Sequence, residues 1–539
     1  MLNATKSLRA SLRSERGIAL PAMMSLMLIL GILTAGVVVT VQADTPQARR
    51  DQDRKLAYGA AEAGLQNYLF RLQHDLDLWT KCTAVSGPPF VNQVWNGSGA
   101  DPRVWRSLPG TDGQYTVEPL PATGYSSCNP ANPAASVVQN GLIRIRATGR
   151  VRGMKRSIVG KFRRRSFLDY LYFTDIESLD PAWYTRYVNG WPTVPDITQW
   201  ASDNCGWYRD GRSSKRYNGN KYNALNQPTA VNNLRCGEIQ FAAGDVLNGP
   251  VHTNDEFLIC GHPIFGRTVD DQIEVSASSP GWRSACSSSS PTFRGTYNAS
   301  APLLTMPPTN TQLRDTTDPS YIFTGRTTIV LNAGNMVVNG TTMAYPTNGQ
   351  IYVQNGTCGQ TLKTYDPYNS PVGCADVIVK GSYGASLTIA SEKDIIINGN
   401  VTNSGDTLLA LIADQFIRIY HPIANLDTDD DTCTNSNSGP YGPYLQNPTI
   451  VASLFALNHS FMVDNYFCGN AMGTLTVTGS IVQKYRGPVG TGGSSGASTG
   501  YIKAYAYDDR FHFREPPAVV DPIQSSWKVL SQTEQVPAR

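Results

Sequence analysis

Residues 17–43 read Gly-Ile-Ala-Leu-Pro-Ala-Met-Met-Ser-Leu-Met-Leu-Ile-Leu-Gly-Ile-Leu-Thr-Ala-Gly-Val-Val-Val-Thr-Val-Gln-Ala, without one charged side chain. About twenty such residues cross a hydrocarbon layer of about 30 Å as a helix. Lys6, Arg9, Arg13 and Arg16 precede the run against Glu15 alone, so this flank stays in the cytoplasm and the rest of the chain lies outside. The reading is one transmembrane helix over 18–43 in the cytoplasmic (inner) membrane, with the lipid bilayer as its first partner and the C-terminal domain outside. A cleaved secretory signal is the alternative, since Val41-Gln42-Ala43 resembles a small-residue cleavage site. The apolar run is, however, about twice a signal core of roughly 7–15 residues.

Working outward, Tyr58, Ala61, Leu65, Leu69, Leu72 and Leu76 recur at three- and four-residue steps, the stripe of an amphipathic helix over 44–76. Asn67, Arg71 and His74 fall on the opposite face. Pro46 is expected to bend or break the helix.

The 539 residues are 41% apolar and only 16% charged, against roughly 25% charged in ordinary soluble domains. Short strands joined by many turns suit that balance. The formal charge of +3 comes entirely from the first seventeen residues. The remainder is neutral, and nothing points to nucleic acid as a partner. All ten cysteines (Cys82, Cys128, Cys205, Cys236, Cys260, Cys286, Cys358, Cys374, Cys433 and Cys468) follow the apolar run. An even number outside the cytoplasm reads as up to five disulfides, with consecutive pairing the simplest connectivity. Zinc is the competing reading, weakened by the lack of any CxxC pair.

Residues 77–165 read as a small antiparallel β head. It opens on a loop to about residue 112, followed by alternating strands at Tyr115–Glu118, Leu142–Thr148 and Ser157–Phe162. Ile143 and Ile145 face inward. Arg144, Arg146, Arg163, Arg164 and Arg165 belong to a basic run that is a candidate anion site, or else a solvated strand face. Residues 166–520 read as a large β-rich domain, and 521–539 as a C-terminal tail. Leu247-Asn248-Gly249-Pro250-Val251 and Ile397-Asn398-Gly399-Asn400-Val401 share a strand–Asn-Gly–valine pattern, and Val477-Thr478-Gly479-Ser480-Ile481 is a weaker copy. Short apolar strands surround them without crossover helices. A parallel β-solenoid is favoured, with a β-sandwich as rival because Asn-Gly also marks hairpins. The fold class is mainly β.

No catalytic residue is assigned, and the chain is read as a non-enzyme. Gly496-Ala497-Ser498-Thr499-Gly500 matches GxSxG but sits in a glycine–serine tract. Asp175 and Glu177 share a strand face, yet nothing selects them as a glycosidase pair. His252, His262, His421 and His459 have no metal-ligand spacing. Asp427, Asp429 and Asp431 alternate as in calcium loops, so calcium is the one cofactor considered; Thr432 and Ser438 depart from the EF-hand pattern.

Arg16-Gly17-Ile18-Ala19-Leu20 before a long apolar run resembles the type III leader of type IV pilins, and Ala57-Tyr58-Gly59-Ala60-Ala61-Glu62-Ala63-Gly64-Leu65 resembles a stretch of PilX-like minor pilins. The resemblance covers about sixty residues. It implies a leader over 1–17, cut by a prepilin peptidase between Gly17 and Ile18, and methylation of Ile18. It also implies a pilin-like head sheet, and other pilins as partners through the helix. Ala22 stands where most major pilins carry glutamate, which implies a minor or tip subunit. The expected function is filament assembly and adhesion at the pilus or cell surface, the head meeting a surface polymer or cell-surface ligand. Two alternatives stand beside it: a membrane-anchored solenoid that binds or cleaves polysaccharide, and a type II secretion pseudopilin.

Overall fold

The computed structural model describes residues 19–75, 78–80, 105–120, 137–138, 142–180, 182, 239–359, 371–424, 433–493, 496–512, 514–523 and 527–539; the side chains of 36–46 lie outside this description. The chain is mainly β, with an N-terminal helix and an antiparallel sheet. Two compact units emerge: residues 1–164 with 526–539, and residues 165–525.

In the first unit, α1 (Ala19–His74) is one helix of 56 residues, about 84 Å long at about 1.5 Å per residue. It runs unbroken through Pro46, where a bend or a break is expected. Proline removes one hydrogen bond, and the turns on either side keep theirs. Beyond Lys55 the helix buries Ala61, Leu65, Tyr68 and Leu72 against Ile143, Ile145, Ala147, Ile158 and Phe162. Arg71 departs from the expected outer face and is buried. It lies three residues after Tyr68 and therefore on the packed side. Desolvation, with the neighbouring Arg106 guanidinium, lowers its pKa to about 10.

The sheet is antiparallel: β1 (Arg106–Ser107), β2 (Gln114–Leu120), β3 (Val137–Val138), β4 (Leu142–Val151) and β5 (Met154–Arg164), in spatial order β1–β2–β4–β5 with β3 also on β4. The helix approaches β4 so closely that a Cβ on Gly149 would fall 1.9 Å from the Ala57 carbonyl oxygen. Small residues at Ala57, Ala60 and Ala61, all fully buried, permit that approach. The expected C-terminal tail is corrected: within 521–539, Trp527–Gln535 adds to β5 as an antiparallel strand, Trp527 opposite Arg164 and Gln535 opposite Ser157. Burial of Trp527 in the helix–sheet core favours the strand over a free tail. The larger unit is thus an insertion between two paired strands.

Among the described residues, most strands of the larger unit fall into three parallel ladders, and Phe257–Gly261 pairs in parallel with Trp282–Ser289 beside them. The first runs in space through Ile322–Thr324, Gln350–Gln354, Leu387–Ser391, Leu409–Ala413, Thr449–Ala456, Ala471–Arg486, Tyr172–Leu179, Val251–Thr253, Gln272–Val275 and Thr296–Ala299. The second aligns Ile329, Val379, Ile397, Ile419 and Val463. The third aligns Val401, Ile450, Val477, Tyr505, Leu247, Phe265 and Phe293. Apolar side chains, aliphatic and aromatic together, stack at about 4.8 Å per step, which excludes water from the interior.

Spatial order differs from chain order. The chain arrives mid-stack at Tyr172, steps outward to Thr296–Ala299, returns through 300–321 to the opposite end at Ile322, and steps back to mid-stack at Tyr507. Leu247-to-Val251 and Val477-to-Ile481 both turn from the third ladder to the first, whereas Ile397-to-Val401 turns from the second to the third. The apparent repeat therefore marks corners, and not equivalent ones. Cys260–Cys286, Cys358–Cys374 and Cys433–Cys468 form disulfides. Cys82, Cys128, Cys205 and Cys236 lie outside the described residues.

Because Arg164 faces Trp527 in the register, a turn of about two to four residues should replace 165–526 without disturbing the sheet. The shortened chain is expected to keep the protected amides of β4 in hydrogen exchange and to melt cooperatively. A molten product would show that the smaller unit depends on its insertion.

Candidate functional site

Every large apolar side chain of α1 between Leu20 and Leu33 is exposed, from 52% at Leu30 to 72% at Leu20. Leu20, Met23, Leu26, Met27 and Leu30 follow one stripe, and Met24, Leu28, Ile29, Ile32 and Leu33 fill the others. At about 100° per residue they surround the helix, leaving no polar face. The polar side chains satisfy themselves. Ser25 donates to the Pro21 carbonyl, and Thr34 Oγ1 donates to the Leu30 carbonyl at 2.8 Å. Such back-bonding removes the need for water. Fully burying an exposed Leu, Ile or Met gains about 1.5–3 kcal/mol, so these ten, each still half to three-quarters exposed, carry about 10–20 kcal/mol of unused transfer free energy. Among the described residues, no helix is long and apolar enough to cross a membrane. Ile18 and the side chains of 36–43, part of the expected span, lie outside them, as does the cleavage position at Gly17.

The basic run is dispersed. Arg146 is buried, its Nε and Nη2 donating to Glu118 Oε2 at 2.8 and 2.6 Å, so its charge is already matched. Arg163 is buried, Arg144 is part-buried, and the Arg164 guanidinium lies 5.5 Å from the Trp527 ring centre. Arg165 bridges Glu274 at 3.1 Å in the larger unit. Asp427, Asp429 and Asp431 lie outside the described residues. Among those described, no group of three or more His, Cys, Asp or Glu is placed to hold a metal.

The larger unit holds several buried ionic clusters. Arg418 joins Asp464 at 2.8 Å and Asp394 at 2.9 Å. Glu177 is buried against Arg486 at 3.2 Å; burial raises its pKa, partly offset by the Arg486 charge. Asp175 accepts from Asn254 Nδ2 at 2.8 Å. Thus the two carboxylates noted in the sequence serve as hydrogen-bond acceptors. Glu274 accepts from Tyr170 at 2.6 Å and faces His252 Nδ1 at 3.0 Å. Desolvation opposes its charge, but His252, Arg165 and Tyr170 hold its pKa down at about 2. His252 Nε2 meets Asn254 Oδ1 at 3.0 Å, while the Asn254 nitrogen donates to Asp175 and to the Leu304 carbonyl.

Asp180 receives both His459 Nδ1 at 2.9 Å and Ser460 Oγ at 3.1 Å. The serine is bonded to the acid and not to the imidazole, unlike a nucleophile–base relay. His421 Nδ1 meets the Asp464 carbonyl at 2.9 Å, and His262 Nδ1 the Ser290 carbonyl at 3.2 Å. Ser498 lies exposed in the strand Gly496–Tyr507, which pairs with Gly490–Gly493.

No family model matches this chain, and no curated protein matches it either. Among solved structures it is similar to the competence-associated pilin ComZ from Thermus thermophilus, at 12% identity over 90% of this chain and 97% of that one, with a TM-score of 0.24. At that score the likeness assigns neither fold nor function.

Arg418→Met should cost about 3–5 kcal/mol, because it strands Asp394 and Asp464 without their cation in a buried site. Chemical denaturation of the full chain is the measurement. A loss below about 1 kcal/mol would mean that water already reaches the pair.

Proposed function

We propose that this chain is a PilX-like minor pilin or pilus-tip subunit that takes part in filament assembly and surface contact. The observation that carries the reading is the fully apolar, exposed first part of α1, continuous with a second part packed on an antiparallel sheet. A helix hydrophobic all round needs lipid or other helices about it. The subunit waits as a single-pass protein of the cytoplasmic membrane with its larger unit outside. It then moves into a bundle of pilin helices at the pilus or cell surface. Prepilin peptidase cuts between Gly17 and Ile18, and the new terminus at Ile18 is methylated. Ala22 gives no carboxylate to a neighbour's terminal amine, which suits a subunit used once per filament better than one repeated along it.

The larger unit is the contact head, a parallel β-solenoid. The parallel register of all three ladders supports this over a sandwich, whose sheets are typically antiparallel. Its buried acids and histidines hold strands together, and the reading calls for no catalysis and no cofactor.

Mass spectrometry of the mature protein should find a methylated Ile18 at the N-terminus, and sheared filaments should contain the chain. A start at Met1 or Asp44 would overturn the reading, and a processed chain absent from filaments would point to a secretion pseudopilin. Ile29→Lys places a charge among the apolar side chains at a cost of about 2.5–3.5 kcal/mol at mid-membrane. It should deplete the chain from membranes and filaments while leaving the denaturation midpoint of the larger unit unchanged.

A further inference from the structure

Residues 301–320 run across the ladders and join the two ends of the stack. Leu304 exchanges hydrogen bonds with Asn254, the Pro308 carbonyl accepts from Asn458 Nδ2 at 2.9 Å, and Thr316 Oγ1 meets Gln350 Oε1 at 2.7 Å. At the centre sits Asn310, fully buried. Its amide nitrogen Nδ2 donates to the carbonyls of Ser391 at 2.8 Å and Ile412 at 3.0 Å, and the Tyr352 hydroxyl lies 3.1 Å from its Oδ1. Its backbone N–H donates to Asp414 Oδ1 at 2.7 Å. One residue of the strap thus engages three successive strands of the first ladder. The column beneath it, Tyr352, Ala390 and Ile412, is completely buried.

We propose that this strap is a proton-dependent clasp, latched where Asn310 meets the Asp414 turn and loosened as the medium passes from acidic to neutral. Asp414 is buried in the turn after Leu409–Ala413, and ordinary burial of a carboxyl group favours its neutral form. The groups around it do not reverse this. Glu392, in the preceding turn, is a second acid, held by Asn355 N–H at 2.8 Å and by the Tyr352 hydroxyl at 3.1 Å. Lys393 beside it is 3.6 Å from Asp376, and Arg314 on the strap lies by Asp315, half exposed. Asn458, in the following turn, offers its nitrogens to the Asp414 carbonyl and not to the carboxyl. The Asn310 N–H alone favours the charged form. Burial outweighs it, Glu392 adds to burial, and the Asp414 pKa rises to about 7.

The sign follows directly. A strap-open state would hydrate Asp414 and return its affinity for protons to the ordinary carboxylate range. Between about pH 4 and 7 the closed state holds more protons than the open one, so closure weakens about tenfold per pH unit. Below that window closure is at its strongest, and above about pH 7 it stays at its weakest.

Hydrogen exchange of the full-length protein in detergent, with the intrinsic pH dependence removed, reads this on peptides covering 304–316. Expected is a tenfold loss of protection per pH unit from about pH 5 to 7, levelling above, while the ladder strands keep theirs. Asp414→Asn keeps an acceptor for Asn310 and should flatten the profile. Glu392→Gln should move the levelling point to lower pH, which keeps the test alive if Asp414→Asn does not fold. A flat wild-type profile, an unchanged slope in Asp414→Asn, or an equal loss across all ladder strands would overturn the clasp.

Discussion

The pairing of β5 with Trp527–Gln535 constrains everything inserted between them. Trp527 lies opposite Arg164, so the chain that leaves the small sheet must come back beside its own point of departure. A stack of parallel strands followed in order from one end to the other would leave its termini a full stack apart. Here the chain begins in the middle instead. Tyr172 pairs with Ile481, the Tyr507 hydroxyl donates to the Leu168 carbonyl at 2.6 Å, and the two ends of the larger unit meet. The strap over 301–320 is the consequence. A stack begun in its middle must carry its chain from one end to the other along the outside.

That solution puts polar backbone and chain ends at the centre of a hydrophobic stack, where unpaired groups are expensive. Several of the buried polar side chains lie at this seam. Ser480 donates to the Tyr170 carbonyl at 2.6 Å, Gln483 reaches the Tyr172 hydroxyl at 3.0 Å, and Arg486 bridges Glu177. Lys503 lies 2.9 Å from Asp245, joining the strand that closes the unit to the turn before Val246–Asn248. Apolar columns supply most of the stabilisation by burial, yet they are tolerant of register. Directional bonds at the seam fix which strand lies beside which.

The sequence makes the periodic parts of this molecule legible. The charge-free run, the three-and-four stripe from Tyr58 to Leu72 and the alternation of Leu142–Thr148 each depend on neighbours within a few residues. Arrangements set by distant partners leave no such trace. Glu177 and Arg486 are 309 residues apart, and Asp180 and His459 are 279 apart. Trp527–Gln535 reads as a polar tail because only Trp527 and Val529 face the helix core, one of them only partly buried. Arg71 reads as outward-facing only when Tyr68 is left out of the stripe. The Asn-Gly pattern reads as a repeat, yet two of its three copies lie inside continuous strands, Ile395–Asn403 and Ala471–Arg486, at corners that differ.

The two parts of α1 divide the molecule's unsatisfied free energy unevenly. From Ala57 onward the helix finds its apolar partners in its own sheet, with Gly149 admitting the helix backbone itself. The part from Ala19 to Ala35 finds none among the described residues. Hydrophobic transfer is additive and has no direction, so a uniform apolar surface specifies a milieu and leaves the choice of neighbour open. The chain after residue 17 is formally neutral, and many of its charged groups are paired within the larger unit, so long-range steering by net charge is weak. What such a surface offers a neighbour is shape and short hydrogen bonds, which a disulfide-linked, ladder-packed unit can hold in fixed positions.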